Sequence, residues 1–290
     1  MVGSMAGNLI GDYLRARREQ VRPEEVGITA ASHRRVPGLR RDELAMLAGI
    51  STEYYTRLEQ GRDRHPSAQV LDAIARALGL NAEAVAHLHD LANPAPRRRR
   101  TPRRAEHVRP SVARLVDSWQ HTPAYVQGRY HDVLAANRLA MALSPIYTPG
   151  TNLLRAVLLD PSAQALLDEA EANIGAMIAL LRASAGADVD DPRLTELVGE
   201  LSVKSDVFRR LWARHEVRRH PGSGTHHIQH PQVGALELRY DKFAIADTQD
   251  QMLVVYQAEP HSPSAERLSL LTALATDLNE NEPQDVNRPT

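Results

Sequence analysis

Cysteine is absent from the 290 residues, and lysine occurs only at Lys204 and Lys242. Without cysteine the chain has neither a disulfide framework nor a thiolate metal site. No apolar run approaches the roughly 18 residues needed to span a bilayer. The first residues lack the charged start and continuous apolar core of a signal peptide. A cytoplasmic protein that does not enter the membrane is therefore expected. A glycine-rich phosphate loop, a nucleophile elbow and a Ser/His/Asp arrangement are also missing, and the carboxylates form no recognisable acid/base pair. No catalytic residue is assigned, and the chain reads as a non-enzyme.

The histidines do not make up for these absences. "HEVRRH" spaces His215 and His220 five apart, whereas two zinc ligands on one helix face are four apart. "HHIQH" places His226, Ile228 and His230 on one side of a strand, two ligands without a third. His87 and His89 are too far apart in angle on a helix to chelate together and are expected to be exposed. "DVDD" (188–191) lacks the length and final Glu of a calcium loop. No metal and no tightly bound cofactor is expected.

What is present is a division of charge. Residues 1–109 hold 19 Arg against 13 Asp and Glu, a net of +6, whereas residues 110–290 carry −7. A positive first part fits a polyanion partner. The positive charge there is all arginine, which grips phosphate and guanine bidentately, although GC-rich coding also enriches this residue.

Helical periodicity runs through "NLIGDYLRARREQ" (8–20), with Arg15, Arg17 and Arg18 mostly off the apolar face, and a short turn follows at "PEEVGI". It returns in two runs within "RRDELAMLAGISTEYYTRLEQGR" (40–62). "AQVLDAIARALGL" follows, capped by Ser67 and closed by Gly79, and then "NAEAVAHLHDLAN", capped by Asn81. Residues 93–109, with three prolines and six Arg in positions 97–104, read as a linker. That run is either a solvated tether or a phosphate-gripping extension. Beyond it come a hairpin around Gly128 and Arg129, helices over 152–219 with caps at Asp191 and Ser205, a β-meander, and a last helix before a polar tail. The boundaries are 1–92, 93–109, 110–280 and 281–290: an all-α domain, a linker, an α+β domain with an antiparallel sheet, and a tail.

The two runs around Gly49 have the geometry of a helix-turn-helix, the alternative being an ordinary αα-hairpin with a polar exterior. Gly49 takes the positive φ that ends the first helix, Ile50 plugs the turn, and Ser51 caps the second. Tyr55 and Leu58 share one face of that helix, with Glu53, Thr56 and Arg57 opposite and Thr52 and Tyr54 flanking its start. A polar N-terminal turn presented in this way suits a major groove. Arg57 matches guanine and Glu53 matches cytosine, while Thr52 and Thr56 suit a thymine methyl or a phosphate. Arg41, Arg62 and Arg64 stand where phosphates pass on either side. The candidate DNA-binding set is thus Arg41, Ser51, Thr52, Glu53, Tyr54, Thr56, Arg57, Arg62 and Arg64.

"LRRDELAMLAGISTEYYTRLEQGR" with "PSAQVLDAIARALGL" resembles the five-helix domain of the XRE (lambda-repressor-like) family. "VPGLRRDELAMLAGIS" and "HLHDLA", with "TPAYVQGRYHDVLAAN", "FRRLWARHEVR", "HPQVGALELRY" and "LVVYQAEPHSPSAERLSLL", resemble MmyB-like regulators over nearly the whole chain. The resemblance implies a PAS-like sensor domain, a homodimer on a double-stranded DNA operator, and control of bacterial transcription at the nucleoid. It also implies a small apolar ligand of the fatty-acid type. A PAS-like fold encloses its ligand between sheet and helices, which makes Tyr125, Leu134, Leu154, Leu158, Trp212, Tyr240, Phe243 and Tyr256 candidate walls. Asn137, Arg138 and His215 are candidates for a carboxylate head group. The chain departs from the pattern at Tyr130 and Ala136, where many relatives have Trp. The alternative is a constitutive DNA-binding protein whose second domain only dimerises.

Overall fold

The computed structural model describes residues 8–29, 34, 36–63, 65–93, 106–166, 171–185, 191–218, 222–248 and 250–280. Its helices are α1 (Leu9–Gln20), α2 (Arg41–Ala48), α3 (Thr52–Glu59), α4 (Ala68–Ala77), α5 (Ala82–Ala92), α6 (Pro110–Asp117), α7 (Arg138–Leu143), α8 (Leu153–Leu159), α9 (Pro161–Leu166), α10 (Glu171–Ala185), α11 (Pro192–Lys204), α12 (Asp206–Trp212) and α13 (Pro263–Glu280). The strands are β1 (Ala124–Gln127), β2 (Val133–Ala136), β3 (Gly224–His230), β4 (Gly234–Ala244) and β5 (Met252–Gln257). The linker arginines 97–104 and the tail 281–290 lie outside the described residues.

Packing divides the chain into two units that do not follow sequence order. One gathers residues 1–103 and 175–220, the other residues 104–174 and 221–290. In the first unit α1, α3, α4 and α5 start on side-chain caps: Asn8, Ser51, Ser67 and Asn81 accept from the backbone N–H of Gly11, Tyr54, Val70 and Ala84. These bonds satisfy donors that a helix N-terminus leaves free. Tyr13, Leu14, Leu39, Leu44, Tyr55, Leu58, Leu71, Ile74 and Leu88 are fully buried together. Each such aliphatic side chain contributes about 1.5–3 kcal/mol by leaving water. Gly11 is required by closeness, because a Cβ there would meet the Glu59 carbonyl oxygen at 2.3 Å.

Three polar residues in this unit depart from the periodicity reading. Arg18, expected mostly off the apolar face, is buried, and so is Glu59. His87, expected to be exposed, is buried with its ring 5.3 Å from that of Tyr13. A helix angle between two histidines says nothing of what packs on each, and the side of α5 that carries His87 is its packed side. His89 is half-buried, its Nε2 2.8 Å from Asp72 Oδ1.

The same unit includes α11 and α12, capped by Asp191 and Ser205 as their sequences predict. Phe208 stacks on Trp212. Val217 joins the buried cluster of α1 to α5, with Ala183 of α10 packed against it.

The second unit is built on one antiparallel sheet in the order β2-β1-β5-β4-β3. The hairpin predicted around Gly128 and Arg129 is β1–β2. Side chains alternate across the sheet, and both faces are used. On one face Val126 and Val255 are buried, with Val112 of α6, Leu134 and Leu253 packed around them. On the other, Tyr125 and Tyr256 are buried and meet Tyr147, which follows α7. The fold is a helical helix-turn-helix region followed by an α+β domain of PAS-like type.

Candidate nucleic-acid interface and the inner face of the sheet

Gly49 stands at φ 66°, the left-handed conformation that ends α2. Its N–H and that of Ile50 donate back to the Ala45 carbonyl, the bonding of a helix C-cap. The chain then enters α3 within two residues, and the Ser51 hydroxyl accepts from Tyr54 N–H at 3.1 Å. Ahead of α2, Arg34 clamps Glu43 with bonds of 2.8 and 2.7 Å, and Glu43 accepts from Arg40 N–H at 2.7 Å. The guanidinium of Arg34 holds the Glu43 carboxyl below its ordinary value.

Tyr55 and Leu58 seat α3 in the core, while Ser51, Glu53 and Arg57 are exposed and Thr52, Tyr54 and Thr56 half-buried. Thr56 donates its hydroxyl to the Thr52 carbonyl at 2.7 Å, which leaves its methyl as an outward apolar contact. The Arg57 guanidinium lies 5.7 Å from the centre of the Tyr54 ring, a loose hold that leaves its donors directed to solvent. Arg62 is exposed beyond the helix, and Arg64 lies outside the described residues.

Arg41 is not a free phosphate clamp. Its Nε and one terminal nitrogen donate to Glu59 Oε1 at 3.0 and 2.7 Å. Glu59 is the fully buried hub of a larger cluster. Arg18 donates to both its oxygens, at 3.0 and 3.1 Å, and to the Leu39 carbonyl at 2.6 Å. Arg15 approaches to 3.6 Å. Burial pushes the Glu59 carboxyl up, but the bonds and charge of Arg18 and Arg41 outweigh it and hold the group below its ordinary value. Three guanidiniums around Glu59, with Glu19 3.4 Å from Arg18 on the outside, leave a net positive cluster. Arg15 and Arg41 remain 49% and 44% exposed. Arginine carries five donors, so the unused donors of Arg41 are oriented by Glu59 rather than consumed. The sequence reading missed Arg15, Arg18 and Glu59. The spacing of Arg15 and Arg18 was visible, but their partner 41 residues from Arg18 was not.

Of the residues assigned to a ligand wall, the structure brings Tyr125, Tyr240 and Tyr256 together. Tyr125 stacks on Tyr147 at 4.7 Å, and the Tyr147 and Tyr256 hydroxyls are 2.7 Å apart. The Tyr256 hydroxyl is 3.0 Å from His226 Nδ1, and the His226 ring is 4.5 Å from that of Tyr240. Burial, then the charge of Lys242, pulls the His226 imidazole down to about 4, so it is neutral near pH 7. Tyr147 and His226 were not assigned. Strand alternation had placed His226 beside Ile228, whereas nothing in "SPIYTPG" marked Tyr147.

Leu134 packs in the cluster on the opposite face of the sheet, and Phe243 is 55% exposed. Asn137 caps α7, accepting from Ala124 and Ala140 N–H and donating to the Trp119 and Thr122 carbonyls. Its amide is thereby committed to the backbone rather than to a head group. Arg138 is exposed, Leu154 buried and Leu158 half-buried. Trp212 and His215 belong to the other compact unit. Tyr130, one of the departures from the family pattern, is buried with Arg129 5.3 Å from its ring centre. Of the histidines weighed as ligands, His230 bonds the Ala142 carbonyl at 2.9 Å. Among the described residues no helix is long and apolar enough to cross a membrane.

Two family models match the chain. One is a helix-turn-helix domain, over residues 9–88. The other is the MmyB-like transcription regulator ligand binding domain, over residues 108–271. A comparison with curated proteins finds no match.

Proposed function

The chain belongs to the MmyB-like transcription regulators, DNA-binding proteins that carry a ligand-binding domain, and from that premise we propose a homodimeric sensor of a small apolar, fatty-acid-like molecule acting at an operator in the bacterial cytoplasm. One observation carries the DNA half. Helix α3 is seated in the core and capped, yet presents Glu53 of its first turn and Arg57 of its last turn outward beside the Glu59-centred arginines. Arg57 then reads guanine in the major groove, Glu53 cytosine, and Thr52 and Thr56 a methyl or phosphate. Arg41, Arg15 and Arg62 hold the backbone. A dimer addresses two half-sites about one helical turn apart.

The ligand half is supported by the inner face of the sheet, where aromatic bodies surround a line of three polar tips, Tyr147, Tyr256 and His226. An apolar lining with few placed polar groups is the chemistry of a small-molecule site. Binding there alters operator affinity by the ligand's differential affinity for two states of the dimer. The same hydroxyls bond one another, and that observation favours the second reading, a domain that only dimerises. Native mass spectrometry of the full-length chain, with analysis of its organic extract, separates the two. A dimer carrying a defined apolar molecule supports the sensor. A dimer that carries none and whose operator affinity does not respond to palmitate supports the constitutive regulator. In vitro selection of duplex DNA tests the first half, with a two-fold symmetric site as the expected product.

A further inference from the structure

The stretch matched by the ligand-binding family includes residues 175–217, yet these residues pack in the unit that holds the helix-turn-helix. Val217 lies in the same buried cluster as Tyr13, Leu14 and Leu88. Gln20 of α1 donates to the Arg214 carbonyl at 2.6 Å. The His215 ring stands edge-on to Tyr13 at 6.4 Å, and the Tyr13 hydroxyl donates to the Ala84 carbonyl of α5. These contacts fall on α1 and α5 and on none of the residues assigned to base reading.

The joint has an uncommon composition. The Arg182 guanidinium lies 3.8 Å from the centre of the Trp212 ring, donates to the Trp212 carbonyl, and is 3.3 Å from His215 Nδ1. Arginine only donates, so Nδ1 accepts and His215 is neutral. Among the described residues no carboxylate lies within ion-pair reach of Arg182. Burial therefore pulls its guanidinium down to about 10. Burial, then Arg182, His87 and Arg17, pulls His215 down to about 3. A half-buried cation held by a π face and one carbonyl is bound less firmly than one paired with a carboxylate. The helices of the segment carry buried apolar residues of their own, among them Leu181, Leu197, Leu201 and Phe208, so a change of docking falls at this cluster and not within them.

We propose that residues 175–217 form a coupling arm, in which the Arg182–Trp212–His215 cluster and Arg214 dock on Tyr13 and Gln20 and carry the state of the sheet domain to the helix-turn-helix. The arm is joined to that domain by the chain at both ends, so a ligand that changes one tether changes the docking. This inference rests on the sensor reading for its input, but its output is tested without any ligand. By reciprocity, an arm that acts on DNA binding must itself respond to DNA.

The test is hydrogen–deuterium exchange of the full-length chain with and without a duplex obtained by in vitro selection. In the native chain, peptides from 175–185 and 191–217 change their exchange rate at least about twofold on adding the duplex. Arg182→Ala removes most of this response, with β1 and β5 unaffected. Gln20→Ala, at an exposed position that does not threaten folding, weakens it. Identical exchange with and without duplex in the native chain overturns the proposal, as does a full response in both variants. Palmitate forms a separate arm of the experiment. A duplex response without palmitate binding retains the coupling arm and removes the fatty-acid reading. Palmitate binding with an unresponsive arm does the reverse.

Discussion

Two guanidiniums in the same unit, the buried Arg18 and the half-buried Arg182, are handled in opposite ways. Arg18 forks onto the two oxygens of a fully buried Glu59, and the pair raises its pKa against the effect of burial. Arg182 has an indole face, a carbonyl and a neutral imidazole, and its pKa falls. The first arrangement fixes α1 against α3 and α2, the elements that present DNA contacts. The second holds a segment whose docking is conditional. Rigidity at the reading head and compliance at the joint are what a regulator needs.

The largest expected effect breaks the rigid side. Glu59→Gln removes the charge shared by Arg15, Arg18 and Arg41 and leaves buried Arg18 with only the more exposed Glu19 carboxylate, 3.4 Å away, as counter-charge. Urea denaturation should show a loss of ~3–5 kcal/mol. An unchanged midpoint shows that the carboxylate is not the anchor. Next, Gly49→Ala forces a Cβ into the left-handed conformation, with an expected cost of about 1–2 kcal/mol by the same measurement. Ser51→Ala removes the cap of α3 and costs about 1 kcal/mol. A neutral outcome for Ser51→Ala shows that α3 is held by its core face alone.

Acid separates the two arginine sites without mutation. The pKa of His215 is depressed from 6.5 to about 3, with Arg182, His87, Arg17 and Tyr13 facing it. The undocked arm therefore binds more protons than the docked one. Docking is at full strength above pH 6.5 and weakens as pH falls from there toward 3. Glu59 is depressed below 4.5, so the stability it supplies is present above 4.5 and is lost only below it. Fluorescence of Trp212 in a Trp119→Phe background should change between pH 6.5 and 4.5 while the helicity of α1 to α5 holds. Simultaneous loss of both signals merges the two sites into one.

Much of the reading head was legible in the sequence because its determinants are local. Gly49, Ser51, Ser67, Asn81, Asp191 and Ser205 end or begin helices through atoms within a few residues. Alternation likewise marked the sheet and put His226 on the same side of its strand as Ile228 and His230, without saying that this side is covered. What periodicity could not reveal were polar groups whose partners are distant in the chain. Arg18 and His87 read as surface residues and Glu59 carried no signal of its own, because their partners come only with the packing of α1, α3 and α5. The candidate ligand walls are dispersed beyond Tyr125, Tyr240 and Tyr256 for a related reason. Trp212 and His215 follow one another on a helical stretch beside the sheet sequence, but chain order does not dictate which core a helix joins. Leu134 and Phe243 are apolar residues of strands, and the composition of a strand does not say which face a helix covers.

The most direct test of DNA reading by α3 compares the affinity of the native chain and of Arg57→Ala for the selected duplex and for a random one. The account predicts a loss of ~1–3 kcal/mol on the selected duplex, relaxed preference at one base pair, and little change on random DNA. An equal loss on both duplexes would assign Arg57 to the phosphates and leave α3 without its principal reader.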